Sequence, residues 1–282
     1  MIYCSTACIK DNNLLSNIRK LVDMGITNIE LTGGCEYLRS INSELLSLKN
    51  LYNLNFIVHN YFPPPKEDFI INTSDEDIIP YLKKYLKNSI ELSRLLESPY
   101  YSFHAGFLVK IESFKNINNA SNLIFLDKKK AINIMKDLYG YLNEIAKNDI
   151  QIYIENNVIS SKNYSNFGFR NPFLLTSSSD FVEIMNTFDF HLLLDLAHLK
   201  VSCNTLGLDF EKEATYLSKY TNYIHLSGND SLEDSNLSIV SDYKINEVLD
   251  KINLKNKTFT LEVYASEKCV KDSYVHLKNK IR

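Results

Sequence analysis

Eight short apolar, β-rich runs, each followed by a stretch with apolar residues at helical spacing, constrain this chain more than any other feature. The runs are Ile2-Tyr3-Cys4, Asn28-Ile29-Glu30-Leu31, Phe56-Ile57-Val58-His59, Tyr100-Tyr101-Ser102-Phe103-His104, Ile152-Tyr153-Ile154-Glu155, Leu192-Leu193-Leu194-Asp195, Tyr223-Ile224-His225-Leu226 and Phe259-Thr260-Leu261-Glu262. Between them, Leu14, Leu15, Ile18, Leu21 and Val22 fit one helix face, as do Ile79, Leu82, Tyr85, Leu86 and Ile90, and the 129–146 stretch. Runs that are apolar throughout, rather than alternating, are buried on both faces, as in a parallel sheet covered by helices. Eight such units in 282 residues fit an α/β fold, a closed (β/α)8 TIM barrel occupying residues 1–282 as a single domain. An open doubly wound sheet would need a glycine-rich phosphate turn after an early strand, and Gly33-Gly34 lacks that spacing.

Composition narrows the function classes. With 45% hydrophobic and 23% charged residues the chain has the apolar material for a large core. Its net charge of −3 gives no long-range attraction toward nucleic acid, so a nucleic-acid partner is disfavoured. No apolar run approaches the roughly 20 residues of a membrane span. The start, Met1-Ile2-Tyr3-Cys4, lacks the charged flank and small-residue cleavage site of a secretory signal, so a cytoplasmic location is expected. Five scattered cysteines without a CxxC pair argue against a disulfide framework or a zinc knuckle.

The chemistry lies where the apolar runs end. His59, His104, Glu155, Asp195, His225 and Glu262 take the same relative place near the ends of six of them, and Glu30 does so on the second. With 34 Asp and Glu and 6 His in the chain, chance would supply such a residue at a given position on about one strand of eight. Side chains at the carboxyl ends of barrel strands converge on one cavity. Carboxylates crowded there repel one another and gain protons unless a cation offsets them. A carboxylate and imidazole set without thiolates suits Mn, Zn, Fe(II) or Co better than Ca. His191, at the start of its strand, and His276, in the last helical stretch, are read as structural. Two connections stand out as long, 61–77 with Pro63-Pro64-Pro65 and 156–179 with Asn166-Phe167-Gly168-Phe169-Arg170, and both follow strands, as binding loops of a barrel do.

The ordered set Ile154-Glu155-Asn156, Leu194-Asp195-Leu196-Ala197-His198, Ile224-His225-Leu226 and Leu261-Glu262-Val263, with spacings of 40, 30 and 37 residues, resembles the xylose-isomerase-like TIM barrels. These include ketose 3-epimerases, hydroxypyruvate isomerases, inosose dehydratases and the endonuclease IV group. The resemblance covers essentially the whole chain. It implies that Glu155, Asp195, His225 and Glu262 bind one divalent ion, that Glu155 and Glu262 act as acid and base, and that His198 contacts a substrate oxygen. In the endonuclease branch two earlier histidines, matching His59 and His104, bind a second ion with the first glutamate. A third ion there uses the Asp-x-x-His histidine and an Asp-x-His motif after strand seven. Here Leu226-Ser227-Gly228-Asn229-Asp230-Ser231-Leu232-Glu233-Asp234 contains no second histidine, and Ser231 stands where many ketose 3-epimerases carry an arginine. Arg170 is an alternative source of positive charge.

Two mechanisms follow as expectations. One is metal-dependent isomerisation or epimerisation of a sugar or sugar derivative by proton transfer through an enediolate, with Glu155 and Glu262 as the acid/base pair. Glu30, Asn60, Tyr61, His198 and Arg170 are then candidate substrate contacts, and Tyr61, Phe62 and Phe107 would cover the sugar's apolar face. The other is a two-metal phosphoesterase in which His59 and His104 hold a second ion with Glu155. A di-iron oxidase and a barrel that binds without turnover are weaker alternatives, because a carboxylate-rich cleft is costly to keep unless a cation or a reaction uses it. The resemblance implies a small carbohydrate as partner and a homo-oligomeric assembly.

Overall fold

All eight apolar runs form strands: β1 (Ile2–Ser5), β2 (Asn28–Leu31), β3 (Asn55–His59), β4 (Tyr100–His104), β5 (Gln151–Glu155), β6 (His191–Asp195), β7 (Tyr223–Leu226) and β8 (Thr258–Leu261). They pair in parallel in chain order, and β8 closes onto β1. The computed structural model describes residues 1–67, 69–110, 124–147 and 149–281. Among them lie the helices α1 (Leu14–Asp23), α2 (Ile41–Tyr52), α3 (Ile79–Leu95), α4 (Lys128–Ala146), α5 (Ser161–Asn166), α6 (Ser178–Met185), α7 (Leu196–Leu206), α8 (Phe210–Leu217), α9 (Tyr243–Lys251) and α10 (Glu267–Lys280). The predicted closed barrel is therefore the observed fold. No described helix is long and apolar enough to cross a membrane.

Strand period explains why the runs look apolar throughout. One set of alternate residues, such as Ile152, Ile154, Leu192, Leu194, Ile224 and Leu226, packs into the large core that also holds helix residues. The other set points inward and forms a separate cluster of Tyr3, Ile57, Tyr153, Leu193 and Tyr223. Branched aliphatics usually fill such an interior, and here tyrosines do so, two of them with paired hydroxyls. Tyr153 donates to Asn222 Oδ1 (2.6 Å), and Tyr223 lies 3.0 Å from Thr260 Oγ1. Two residues further along the inward set come His59, Glu155, Asp195 and His225. The barrel thus places its titratable residues one layer above a hydrogen-bonded aromatic floor.

Several helices begin on the side chain of a strand-end or loop residue. Asp127, Asp209, Asp242 and Ser266 cap α4, α8, α9 and α10, and Asp195 caps α7 by accepting from His198 N at 2.7 Å. The connections depart from expectation in two respects. The 156–179 segment carries a short helix, α5, nucleated by Ser160. A third long connection, 105–127, joins β4 to α4; residues 105–110 and 124–127 of it are described, and Val109 and Phe125 form an antiparallel bridge. The 61–77 loop is tied to it. Asn72 accepts from Phe107 N (2.9 Å) and donates to Val109 O (3.0 Å), and Gly106 leaves no room for a Cβ beside Ser74.

Candidate metal centre

Glu155, fully buried at the end of β5, is the hub of the strand-end cluster. Its Oε2 lies 3.3 Å from His59 Nε2 and 3.4 Å from His104 Nδ1, and its Oε1 lies 3.3 Å from His225 Nδ1 and 3.6 Å from His198 Nδ1. Glu262 Oε2 approaches His225 Nδ1 at 3.5 Å. Donor atoms of Glu155, Asp195, His225 and Glu262 all fall within 4.8 Å of one another, as do those of His59, His104 and Glu155. A third such group is Glu30, His59 and His225.

The hydrogen bonds behind the cluster fix which nitrogen each ring presents. Glu30 Oε2 lies 3.0 Å from His225 Nε2 and accepts from Tyr223 and, at 3.2 Å, from Thr260. The Glu30 oxygen that takes these two hydroxyl donors also faces Nε2, so Nδ1 is the nitrogen turned toward Glu155 and Glu262. His59 Nδ1 rests on Ser102 Oγ (2.9 Å), which leaves Nε2 for Glu155. His198 Nδ1 donates to Asn156 O (2.9 Å), leaving Nε2 near Asp234 Oδ2 (3.3 Å) and Asp195 Oδ2 (3.8 Å).

Carboxylates and imidazole nitrogens crowded in a buried place need protons or a metal cation between them. Both Glu155 oxygens, His104 Nδ1, His225 Nδ1 and Asp234 Oδ1 are buried without a hydrogen-bond partner, whereas such groups in folded proteins are nearly always satisfied. The donor set therefore fits a divalent ion. Protonation behaves accordingly. Burial, reinforced by Asp195, raises the Glu155 pKa to about 7, and burial raises that of Asp195. Burial pulls His59 and His104 well below the usual imidazole range, helped by neighbouring imidazoles. Burial opposes charge on His225 as well, yet Glu30, Tyr223, Glu155 and Glu262 around it hold its pKa well above that range.

The remaining candidates fall in different places. Glu30 is buried behind His225 with no exposed surface, and its Oε2 faces His225, Tyr223 and Thr260. β2 pairs with β3 so that Glu30 stands level with Ile57, below His59. It orients an imidazole. Arg170 is exposed and stacks 3.7 Å over the Phe125 ring, so the structure does not bring it to the cluster. Asn60, beside His59, is buried with φ of 46° and an unpartnered Oδ1. Tyr61 is half-buried, accepts from Ile71 N (2.7 Å) and packs on Phe69. Phe62 is wholly buried in the core rather than at the mouth.

Sequence reasoning missed Asp234. It faces His198 from the loop after β7, and two residues on, where an Asp-x-His motif would carry an imidazole, stands Asn236, whose amide contacts Asp234 at 3.3 Å. The acidic Leu232-Glu233-Asp234 run was the available signal, but a loop has no period to aim it. The loop is anchored from below. Buried Lys200 on α7 donates to Asp242 Oδ2 and Asn229 O, both at 2.6 Å, and Asn229 N donates to Asp242 Oδ2 (3.0 Å).

No protein-family model matches the chain, and no curated protein does. Solved structures do. A structure described as a D-tagatose 3-epimerase-like protein superposes with a TM-score of 0.71 at 17% identity, covering 99% of this chain and 96% of that one. An AP endonuclease, family 2, from Brucella melitensis gives 0.68 at 9%, covering 98% of each. A D-allulose 3-epimerase from Methylomonas sp. gives 0.67 at 11%, covering 99% of this chain and 97% of that one. At such identities the likeness establishes the shared barrel fold, and function must be argued from the site.

Proposed function

We propose that this chain is a divalent-metal-dependent isomerase or epimerase of a sugar derivative, in which Glu155 and Glu262 exchange a proton with the substrate. The observation supporting this reading is that Glu155 Oε1 and Glu262 Oε2, from different sides of the barrel mouth, lie 3.3 and 3.5 Å from a single nitrogen, His225 Nδ1. Shifting a proton beside a carbonyl needs two positioned bases, one to remove it and one to return it. Glu262 accepts from Tyr264 OH at 3.3 Å, which leaves its second oxygen for the substrate. An ion held by Glu155, Asp195, His225 and Glu262 would polarise the substrate carbonyl. His198 would orient a substrate oxygen, and the unpartnered Asn60 Oδ1 would accept from a hydroxyl. Half-buried Tyr61 and Phe107 would cover the apolar face of the sugar. The epimerase-type structures that share this barrel lend support.

The test is solvent-deuterium incorporation into candidate ketoses. Incorporation by the metal-loaded protein, abolished in Glu262→Gln, is the expected result, and its absence across the panel would sink the reading. A second reading, phosphoester hydrolysis at a two-ion centre, is favoured by one observation: His59 and His104 both face Oε2 of Glu155, opposite the Oε1 that faces His225. Phosphate release without deuterium uptake would select it.

A further inference from the structure

The carboxylate of Asp234 is fastened by one oxygen and free at the other. Its Oδ2 lies 3.3 Å from His198 Nε2 and accepts from Asn236 Nδ2, also at 3.3 Å. Its Oδ1 is buried without a hydrogen-bond partner. The side chain nevertheless keeps 24% of its surface exposed, so a ligand can reach the carboxylate. The backbone that carries it is tied on both sides. Gly228 and Leu237 form an antiparallel bridge across the loop after β7 (Gly228 N to Leu237 O 2.8 Å, Leu237 N to Gly228 O 2.7 Å), and Asn236 O accepts from Tyr264 N at 2.7 Å, which joins this loop to the one after β8.

A further metal ion does not account for the free oxygen. Asn236 turns its amide nitrogen toward Asp234, 3.3 Å from both Oδ2 and the main-chain O, and an amide N–H donates where an ion needs a lone pair. Among the described residues Asp234 also belongs to no set of three His, Cys, Asp or Glu donors lying within 4.8 Å of one another. It is nonetheless one imidazole away from the hub of the cluster: His198, which it faces through Nε2, lies 3.6 Å from Glu155 Oε1 through Nδ1. Burial opposes its charge, yet His198 and the Asn236 amide hold its pKa below the ordinary carboxylate range. A buried acceptor of this kind is completed by a hydrogen-bond donor, and its charge repels an anion placed beside it.

We propose that Asp234 is a specificity-determining residue, whose Oδ1 accepts from a hydroxyl of the sugar held at the strand-end cluster and whose charge excludes sugars bearing a phosphate there. The substrate class is then an uncharged ketose, with the carbonyl free for proton transfer. This rests on the sugar reading above and adds to it the residue that selects among sugars.

Binding without turnover tests it. The probes are D-fructose, D-tagatose, D-allulose and their 1- and 6-phosphates, titrated into the zinc-loaded full chain and followed by saturation-transfer nuclear magnetic resonance. The expected result is that at least one free ketose binds, and more tightly than its phosphates. Asp234→Ala should weaken that binding by about tenfold or more. The isosteric Asp234→Asn, which removes the charge and keeps the shape, should narrow the preference over the phosphates by about tenfold. Both variants should retain the wild-type zinc content. Loss of zinc in either variant would make Asp234 a metal ligand and overturn the proposal. So would binding unchanged in Asp234→Ala, a wild type that prefers the phosphates, or a wild type that binds none of the free ketoses. Deuterium incorporation is read separately: selective binding lost in Asp234→Ala but without incorporation would remove the proton-transfer reading and leave the role of Asp234 standing, whereas incorporation with binding unchanged in Asp234→Ala would do the reverse.

Discussion

Glu30 Oε2 lies 3.0 Å from His225 Nε2, so a carboxylate on the second strand orients an imidazole 195 residues away in sequence. With Tyr223 and Thr260 donating to the same oxygen, the carboxylate is held in place, and His225 turns Nδ1 toward Glu155 and Glu262.

Glu30→Gln tests this relationship. A glutamine amide can donate to Nε2 and drive the proton to Nδ1, the atom that faces the cluster. Outer partners of this kind are typically worth 10- to 100-fold in metal affinity. We expect about that loss in a competition titration with a chelator, with an unchanged far-ultraviolet circular dichroism spectrum. Undiminished affinity would mean that Glu30 is a core residue only.

Metal uptake should release protons, and more of them at low pH. Glu155, raised to about 7, still holds its proton at pH 6 in large part, Asp195 is raised from its ordinary range, and His225 is held protonated to well above its own. Each must lose a proton to ligate. Apparent affinity therefore climbs with pH through neutrality, and calorimetry in buffers of different ionisation enthalpy should count fewer protons released at pH 8 than at pH 6. In the metal-free chain, folded Glu155 keeps its proton up to about pH 7, while the unfolded chain gives it up near 4.5. Its contribution to stability therefore becomes more unfavourable as pH rises across that window.

Lys200→Met should cost about 3–5 kcal/mol, because it leaves Asp242 buried without its cation. Removing Asp242 as well, in Lys200→Met/Asp242→Leu, should recover part of that loss. Urea denaturation of the single and double variants measures both. A single variant as stable as wild type would mean that the pair does not anchor the loop carrying Asp234.

Gly106→Ala tests how tightly the 61–77 loop is held to the strand that carries His104. An added Cβ would sit 1.8 Å from Ser74 Oγ and 2.8 Å from Ser74 N. Because backbone has to move, a destabilisation of about 1–3 kcal/mol is expected in the same assay.

The barrel was legible in the sequence because both faces of every strand are buried, which leaves unbroken apolar runs, and because the cavity forces a titratable residue onto the end of most of them. His59, His104, Glu155, Asp195, His225 and Glu262 could be read together for that reason. Depth could not. Glu30 takes the same relative place on its run as the others, but strand stagger sets it level with Ile57 and beneath the cluster. Asp195 could be read as a helix cap or as a ligand, and it caps α7 with Oδ1 while Oδ2 stays near His198. Arg170 and Asp234 lie on loops, where direction depends on packing across the chain. Arg170 is turned onto Phe125, and Asp234 is brought to His198 by an anchor at Lys200.

Metal analysis of the purified wild type and of Glu155→Gln tests whether Glu155 gathers these residues around a divalent ion. At least one divalent ion, Mn, Zn, Co or Fe, per wild-type chain is expected, with loss of that ion in the variant. A wild type that retains none and takes up none when these ions are added, or a variant with undiminished metal content, would contradict it.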